Sequence, residues 1–333
     1  MDEFREAYEG RRVLVTGGLG FLGGNLAVAL AGLGARVSVL DAMIPLYGGN
    51  LFNIEPVRES IDVSIADVRD AEAVRKAVRG CEIVFHIAAQ TSHVDSMTDP
   101  FTDIDMNCRG TIVLLEAVRA ESPGALVVYA GTRGQYGAVA SPPAGEDTPF
   151  HPTDVYSADK AAGEAYAFVY RRAFGLRACS LRISNAYGPR HQMKHSRYGI
   201  LNWFVRLALD GRTIRVFGDG SQLRDYHYVD DVTRAFLLAG SRPEAEGQAF
   251  NLGGPSPVRF LDMVREVIRA AGSGSWETAP WPEERKAIEV GDFAADWSRI
   301  RAALGWEPRV PLRDGLARTV EFYRKYRDRY WTG

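Results

Sequence analysis

Three cysteines among 333 residues, Cys81, Cys108 and Cys179, are too few and too scattered to staple this fold. They lack metal-ligand spacing, so no metal site is expected, and an odd, dispersed set reads as buried reduced thiols in a cytoplasmic protein. No apolar run approaches the roughly 20 residues of a membrane span. The opening stretch MDEFREAYEGRR is acidic and has no apolar core, so no signal peptide is expected there. An excess of either charge is also missing: 40 Lys and Arg stand against 42 Asp and Glu, a net charge of −2. With a pI near 6.3, nothing electrostatic favours nucleic acid or an anionic membrane as a partner. There is no tandem repeat and no low-complexity tract. What is present is a chain long enough to bury a substantial core, as one large domain or two closely joined ones.

Apolar runs and amphipathic stretches alternate over the first half. Arg12 to Thr16, Ala35 to Leu40, Ile61 to Ala66, Ile83 to Ile87, Leu126 to Tyr129 and Arg177 to Ile183 read as strands. A helix runs from the early glycines to about Leu33, and others are expected near 70–79, 101–121 and 156–174. Strands alternating with helices imply an α/β fold: a Rossmann-type, doubly wound parallel sheet covered on both faces. After about residue 184 the regularity breaks, and only Thr213 to Phe217 and Ala249 to Leu252 stand out as strands. The spacing predicts a dinucleotide-binding domain over 11–183 and a smaller mixed α/β substrate lobe over 184–333. Segments near 221–254 are expected to return to the first domain.

Between the first strand and first helix stands Thr16-Gly17-Gly18-Leu19-Gly20-Phe21-Leu22-Gly23. Glycine is needed where backbone must approach a pyrophosphate without a Cβ, which marks Gly17 and Gly20. The N–H groups of the following helix, beginning with Phe21 and Leu22, then face the phosphates. Asp41, at the end of the second strand, can accept both hydroxyls of an adenine ribose and would repel a 2′-phosphate, so NAD is favoured over NADP. Asp67 and Val68 follow the third strand and suit an adenine amino group and ring. Ala88 and Ala89, in His86-Ile87-Ala88-Ala89, are small enough to let a nicotinamide ribose lie close. His86 itself reads as a packed strand histidine.

Further on, VYSADK places Tyr156 and Lys160 four residues apart, on one face of a helix. An ammonium beside a phenol favours the phenolate, which makes a general base able to take the proton of an alcohol while a nicotinamide takes the hydride. A lone tyrosine–lysine pair of this spacing carries little information; downstream of this glycine loop it points to alcohol oxidation.

TGGLGFLG, Asp41, Asp67-Val68, HIAAQ, Thr132, YSADK, LRISNAYGPR and GDGSQLRDYHYVDD occur in the order found in extended short-chain dehydrogenases/reductases. The chain resembles, more narrowly, the NAD-dependent nucleotide-sugar epimerases and dehydratases. That resemblance implies NAD as cofactor, a nucleotide sugar as substrate and Thr132, Tyr156 and Lys160 as catalytic set, with Lys160 also holding the nicotinamide ribose. It implies Asn107 as structural support, Asn185 on the substrate diphosphate and Arg224 as its clamp. The family usually carries a further arginine in an RPGD-like string near residue 290. Here ERKAIEVGD stands instead, leaving Arg285 or Lys286 as substitutes. The resemblance also implies a homodimer, paired through helices at about 101–121 and 156–174, to which Ile112-Val113-Leu114-Leu115 and Ala165 to Val169 lend apolar surface.

Dehydratases of that family place Asp-Glu directly after the catalytic Thr, as acid and base for removing water. Arg133-Gly134 stands there in this chain. What is left suffices for reversible alcohol oxidation, and the economical reaction is 4-epimerisation through a transient 4-keto sugar. Arg133 and the basic loop Arg190 to Arg197 hint at a uronic acid, UDP-glucuronate converted to UDP-galacturonate, among UDP-hexoses. A CDP-sugar 2-epimerase, a net dehydrogenase or reductase, and a non-catalytic NAD-sensing module are the competing readings.

Overall fold

The computed structural model describes residues 2–286 and 289–331. Twelve strands form among the described residues: β1 Arg12–Thr16, β2 Arg36–Asp41, β3 Asp62–Ile65, β4 Ile83–His86, β5 Leu126–Thr132, β6 Arg177–Ile183, β7 Asn185–Tyr187, β8 Thr213–Phe217, β9 Leu223–Tyr228, β10 Ala249–Leu252, β11 Pro257–Arg259 and β12 Ser275–Ala279. Seven make one parallel sheet in the order β3-β2-β1-β4-β5-β6-β10. The order reverses between β1 and β4, the switch point where such sheets bind ligands.

Parallel strands buried on both faces need apolar residues at successive positions, not alternate ones. Leu126–Thr132 is buried throughout. In β1, Val13 and Val15 pack with Leu26 and Leu30 of the helix Phe21–Gly32 and with Val232 and Phe236 of the helix Val229–Ser241. Leu14, pointing the other way, packs with Val74, Leu114 and Val118 from the opposite layer. The expected strand Leu126 to Tyr129 extends three residues further, because Ala130, Gly131 and Thr132 pair with Leu181, Arg182 and Ile183. That extension carries Thr132 to the carboxyl edge of the sheet.

The helix expected near 101–121 is built in three pieces. Pro100–Ile104 is α-helical, Asp105–Arg109 is a π-helical turn, and Gly110–Glu121 is α-helical again. Single π turns inside helices mark places where a side chain is turned to a special use; here Asn107 faces inward. Its amide donates to the Gln90 carbonyl and the Asp103 carboxylate, and its carbonyl accepts from Gln90 N.

A second core holds the C-terminal lobe. Phe204, Val205, Met263, Val267, Val320 and Tyr323 interlock there. β7, β9 and β11 form one small sheet, and β8 and β12 another. β10 and the helix Val229–Ser241 lie beyond residue 184 in sequence yet pack on the large sheet, so the chain crosses between the lobes more than once.

Candidate active site

A cleft of about 1050 Å³ runs from the β1–β4 switch point to the C-terminal lobe. At its inner end, Gly17 takes φ +70°, and a Cβ there would lie 2.8 Å from Ala88 N. A Cβ on Gly23 would lie 2.2 Å from Gly17 O, so the helix Phe21–Gly32 can seat on the loop only without one. Gly20 begins that helix with no side-chain cap, leaving the first N–H groups, those of Phe21 and Leu22, open toward the cleft. An uncapped helix start above a cradle that any Cβ would fill fits a pyrophosphate.

Asp41 lines the cleft and accepts from Leu19 N at 3.0 Å and Met43 N at 2.8 Å. Burial raises its carboxyl, and the two N–H groups oppose that rise. Each oxygen still has a lone pair for a hydroxyl. Asp67 and Val68 also line the cleft, as do Ala88 and Ala89. Asp67 is more committed than its sequence position suggests: Arg69 binds it at 2.9 and 2.7 Å and holds its pKa below the usual carboxylate range. Behind the loop, Thr16 Oγ1 accepts from Ile87 N and Ala88 N and meets His86 Nδ1 at 2.9 Å. His86 also meets Thr111 Oγ1 and is fully buried, and burial lowers its pKa to about 3. It is a neutral packing residue.

Thr132, Tyr156 and Lys160 converge on the same cleft. The helix Val155–Phe174 is capped by Asp154, whose Oδ1 accepts from Ser157 N, and this fixes where Tyr156 emerges. Thr132 Oγ1 accepts from Gly134 N at 3.2 Å, and its hydroxyl lies near enough to the Tyr156 phenol to pull its pKa down. Lys160 lies 4.2 Å over the Tyr129 ring.

The electrostatics differ from the sequence expectation. Burial raises the Tyr156 phenol above its ordinary value; Thr132 and Arg133 pull it down and are outweighed. Lys160 is itself so desolvated that its ammonium falls to about 7, with Asp103 foremost among the groups that oppose the fall. A fully buried lysine gives up charge before it can lend it to a neighbour.

Arg133 stacks over Phe293 at 5.2 Å and, among the described residues, its guanidinium makes no ion pair. Burial, with Arg224 next, brings it down to about 10. A Cβ on neighbouring Gly134 would already lie 2.3 Å from Ser157 Oγ, so the backbone there is pressed against the helix of Tyr156. Asn185 lines the cleft and donates to the Asp225 carbonyl at 2.9 Å. Arg224 lines it too, but its guanidinium is held by Glu289 and by the carbonyls of Leu223 and Gly291. Arg285 lies in the cleft wall, 5.7 Å over Phe217, whereas Lys286 is exposed and outside it.

The loop Arg190 to Arg197 meets the cleft only in part: His191, Ser196 and Arg197 line it and Arg190 does not. Arg190 binds Asn53 O and Asn25 Oδ1, Arg197 pairs with Asp95 at 3.1 Å, and His191 is buried, its pKa lowered to about 4 by burial. Backbone carbonyls and a nearby aspartate reach them first. Three cleft residues lack any sequence motif that would have marked them: His93 beside Tyr156, and Phe217 with Trp281, an aromatic pair at 5.6 Å toward the far end.

Residues 13–253 match the model of the NAD dependent epimerase/dehydratase family. The chain is 36% identical to a UDP-glucose 4-epimerase of Mycolicibacterium smegmatis, covering 94% of this chain and 98% of that one. It is 34% identical to a dTDP-glucose 4,6-dehydratase of Streptomyces griseus, covering 96% and 95%. Among solved structures, a UDP-glucose 4-epimerase from Thermotoga maritima, determined with UDP-glucose, superposes with a TM-score of 0.85 at 31% identity, covering 94% of this chain and 99% of that one.

Proposed function

From the premise that this chain belongs to the NAD-dependent epimerase/dehydratase family, we propose that it is a nucleotide-sugar 4-epimerase, with a UDP-hexuronic acid, UDP-glucuronate, as its preferred substrate. The observation that carries the choice between the two family reactions is Arg133-Gly134, directly after Thr132. Removal of water needs an acid and a base beside the sugar; here that step of chain presents a guanidinium and a bare backbone. The nearby carboxylate of Asp154 is already bound to His93 and Ser157 N.

Tyr156, ionised to its phenolate when it acts, takes the proton from the 4-hydroxyl and, as the phenol, returns it to the same oxygen after the sugar has turned its other face. Thr132 hydrogen-bonds that oxygen and passes charge between it and Tyr156. NAD, when bound, supplies the reversible hydride acceptor for carbon 4. Gly17, Gly20 and the N–H groups of Phe21 and Leu22 hold its pyrophosphate, Asp41 its adenine ribose, and Lys160 its nicotinamide ribose. Asp67 and Val68 flank the adenine, Ala88 and Ala89 the nicotinamide side. Asn185, Arg224 and Arg285 take the substrate diphosphate, for which Arg224 must exchange Glu289 for phosphate.

The preference for a uronate rests on Arg133. A desolvated guanidinium without an ion pair, next to a second arginine, is stabilised by an incoming anion. A carboxylate on carbon 6 fills that need. The test is the ratio of kcat/KM for UDP-glucuronate to that for UDP-glucose, in wild type and in Arg133→Ala. A charge-assisted hydrogen bond of roughly 1.5–3 kcal/mol predicts a loss of about 10- to 150-fold in that ratio. If wild type prefers UDP-glucose, or the variant loses both sugars equally, the carboxylate assignment fails.

We also propose a cytoplasmic homodimer. Among the described residues no helix is long and apolar enough to cross a membrane. The support for pairing is an outward apolar face on the helices between 93 and 174, where Met97, Phe101, Ile104, Ile112, Val169 and Phe174 are exposed.

A further inference from the structure

His93 has no part in the chemistry described so far, yet it stands beside Tyr156 and the Gly134 step of chain. Its ring meets the Tyr156 ring edge to face, with centroids 5.0 Å apart and planes at 85°. Its Cε1 lies 3.4 Å from the point a Cβ on Gly134 would occupy. The ring therefore leans over the step of chain where a dehydratase would carry its carboxylates, and it lines the cleft.

Its two nitrogens are not equivalent. Nδ1 lies 2.7 Å from Asp154 Oδ2, a carboxylate whose side chain is 2% exposed against 36% for His93. Burial pushes Asp154 up, but the bonds from His93 and Ser157 outweigh it and leave the carboxyl below its ordinary value. An ionised carboxylate only accepts, so Nδ1 carries the hydrogen. Asp154 is itself locked by Ser157 N at 2.8 Å, as cap of the helix that bears Tyr156. The tautomer and the ring direction are thus set by the same residue that sets Tyr156. Nε2 is left over. Among the described residues it has no hydrogen-bond partner, and in the neutral ring it can only accept.

We propose that His93 is a sugar-binding residue whose Nε2 accepts a hydrogen bond from the hydroxyl next to the carbon that Tyr156 works on, so that the cleft selects sugars carrying that hydroxyl. This rests on the 4-epimerase reading. In a pyranose the hydroxyl-bearing ring neighbour of carbon 4 is carbon 3, and carbon 6 is given to Arg133. A fixed acceptor that holds the 3-hydroxyl steadies the sugar at its reacting edge while leaving oxygen 4 to Thr132 and Tyr156. A site built to bind a hydroxyl discriminates against the analogue that lacks it, because its polar group is then left unpaired.

The test is the dissociation constant of the NAD-loaded protein for UDP-glucose and for its 3-deoxy analogue, in wild type, His93→Phe and His93→Gln, with kcat and KM for UDP-glucose alongside. His93→Phe keeps an aromatic ring, a larger one, against Tyr156 and removes both nitrogens, the Asp154 bond with them. Wild type should bind the analogue roughly 3- to 10-fold more weakly than UDP-glucose. His93→Phe should bind both sugars alike, with the loss for UDP-glucose seen in KM more than in kcat, and His93→Gln, which restores an acceptor, should recover part of the preference. If His93→Phe discriminates against the analogue as strongly as wild type does, or wild type does not discriminate, the assignment is overturned. Product identity by NMR separates this from the parent reading: a protein that binds as described but does not invert carbon 4 refutes the epimerase and not His93.

Discussion

Tyr156 is the residue on which the proposed proton transfer turns. Its distance of four from Lys160 places both on one helix face, and both line the cleft. The pKa values were not legible, because they depend on burial. Tyr156 is raised and Lys160 lowered by the same cause, loss of water, which penalises each group's charged form. Arg224 makes the same point, since its partner Glu289 lies 65 residues away. If Tyr156 moves the proton, Tyr156→Phe should lower kcat by about 10²–10⁴-fold while dissociation constants for NAD and UDP-sugar hold, because only one oxygen is lost. A variant keeping more than half of wild-type turnover would remove Tyr156 from the mechanism. His93 could not have been picked out from sequence: its importance is its distance from Asp154, and no spacing rule joins residues 93 and 154.

At the scale of elements, the periodic first half was readable. β1 and β6 have the bounds the apolar runs gave, and β2, β3 and β4 differ by a residue at one end or both. The glycine turn was readable too, since strand, glycines and helix are contiguous. The π turn at Asp105–Arg109 was not, because an extra residue per turn leaves the apolar pattern of its neighbours almost unchanged. The proposed dimer face was only half readable. Of the apolar run at 112–115, Leu114 and Leu115 point into the core while Ile112 is exposed. Phe101 is 80% exposed, and Met97, Ile104, Val169 and Phe174 are exposed on neighbouring helix surfaces. Such a cluster is large for a surface left to water. A second copy pairing through these helices would cover it. Light scattering at micromolar concentration should give the mass of two chains, and Phe101→Asp with Val169→Asp should give that of one with the circular dichroism unchanged. A wild-type monomer would refute the dimer.

Across the whole molecule, the second lobe was the least legible part. Its strands are short, and three of them, β9, β11 and β12, pair with neighbours distant in sequence or lie in mixed sheets. Pairing of that kind leaves little local periodicity to read. Yet this lobe supplies Arg224, Arg285, Phe217 and Trp281 to the cleft, so the cleft lies between a lobe that could be read and one that could not. The family relatives include both an epimerase and a dehydratase at similar identity, and whole-chain likeness does not separate them. The proposed separation rests on Arg133-Gly134. The measurement that tests it most directly uses UDP-glucuronate or UDP-glucose deuterated at carbon 4, incubated with the NAD-loaded enzyme and followed by NMR. The account predicts the 4-epimer, with the deuterium still on carbon 4 and no net build-up of reduced cofactor. A 4-keto-6-deoxy product from UDP-glucose, or one equivalent of reduced cofactor for each sugar consumed, would contradict it.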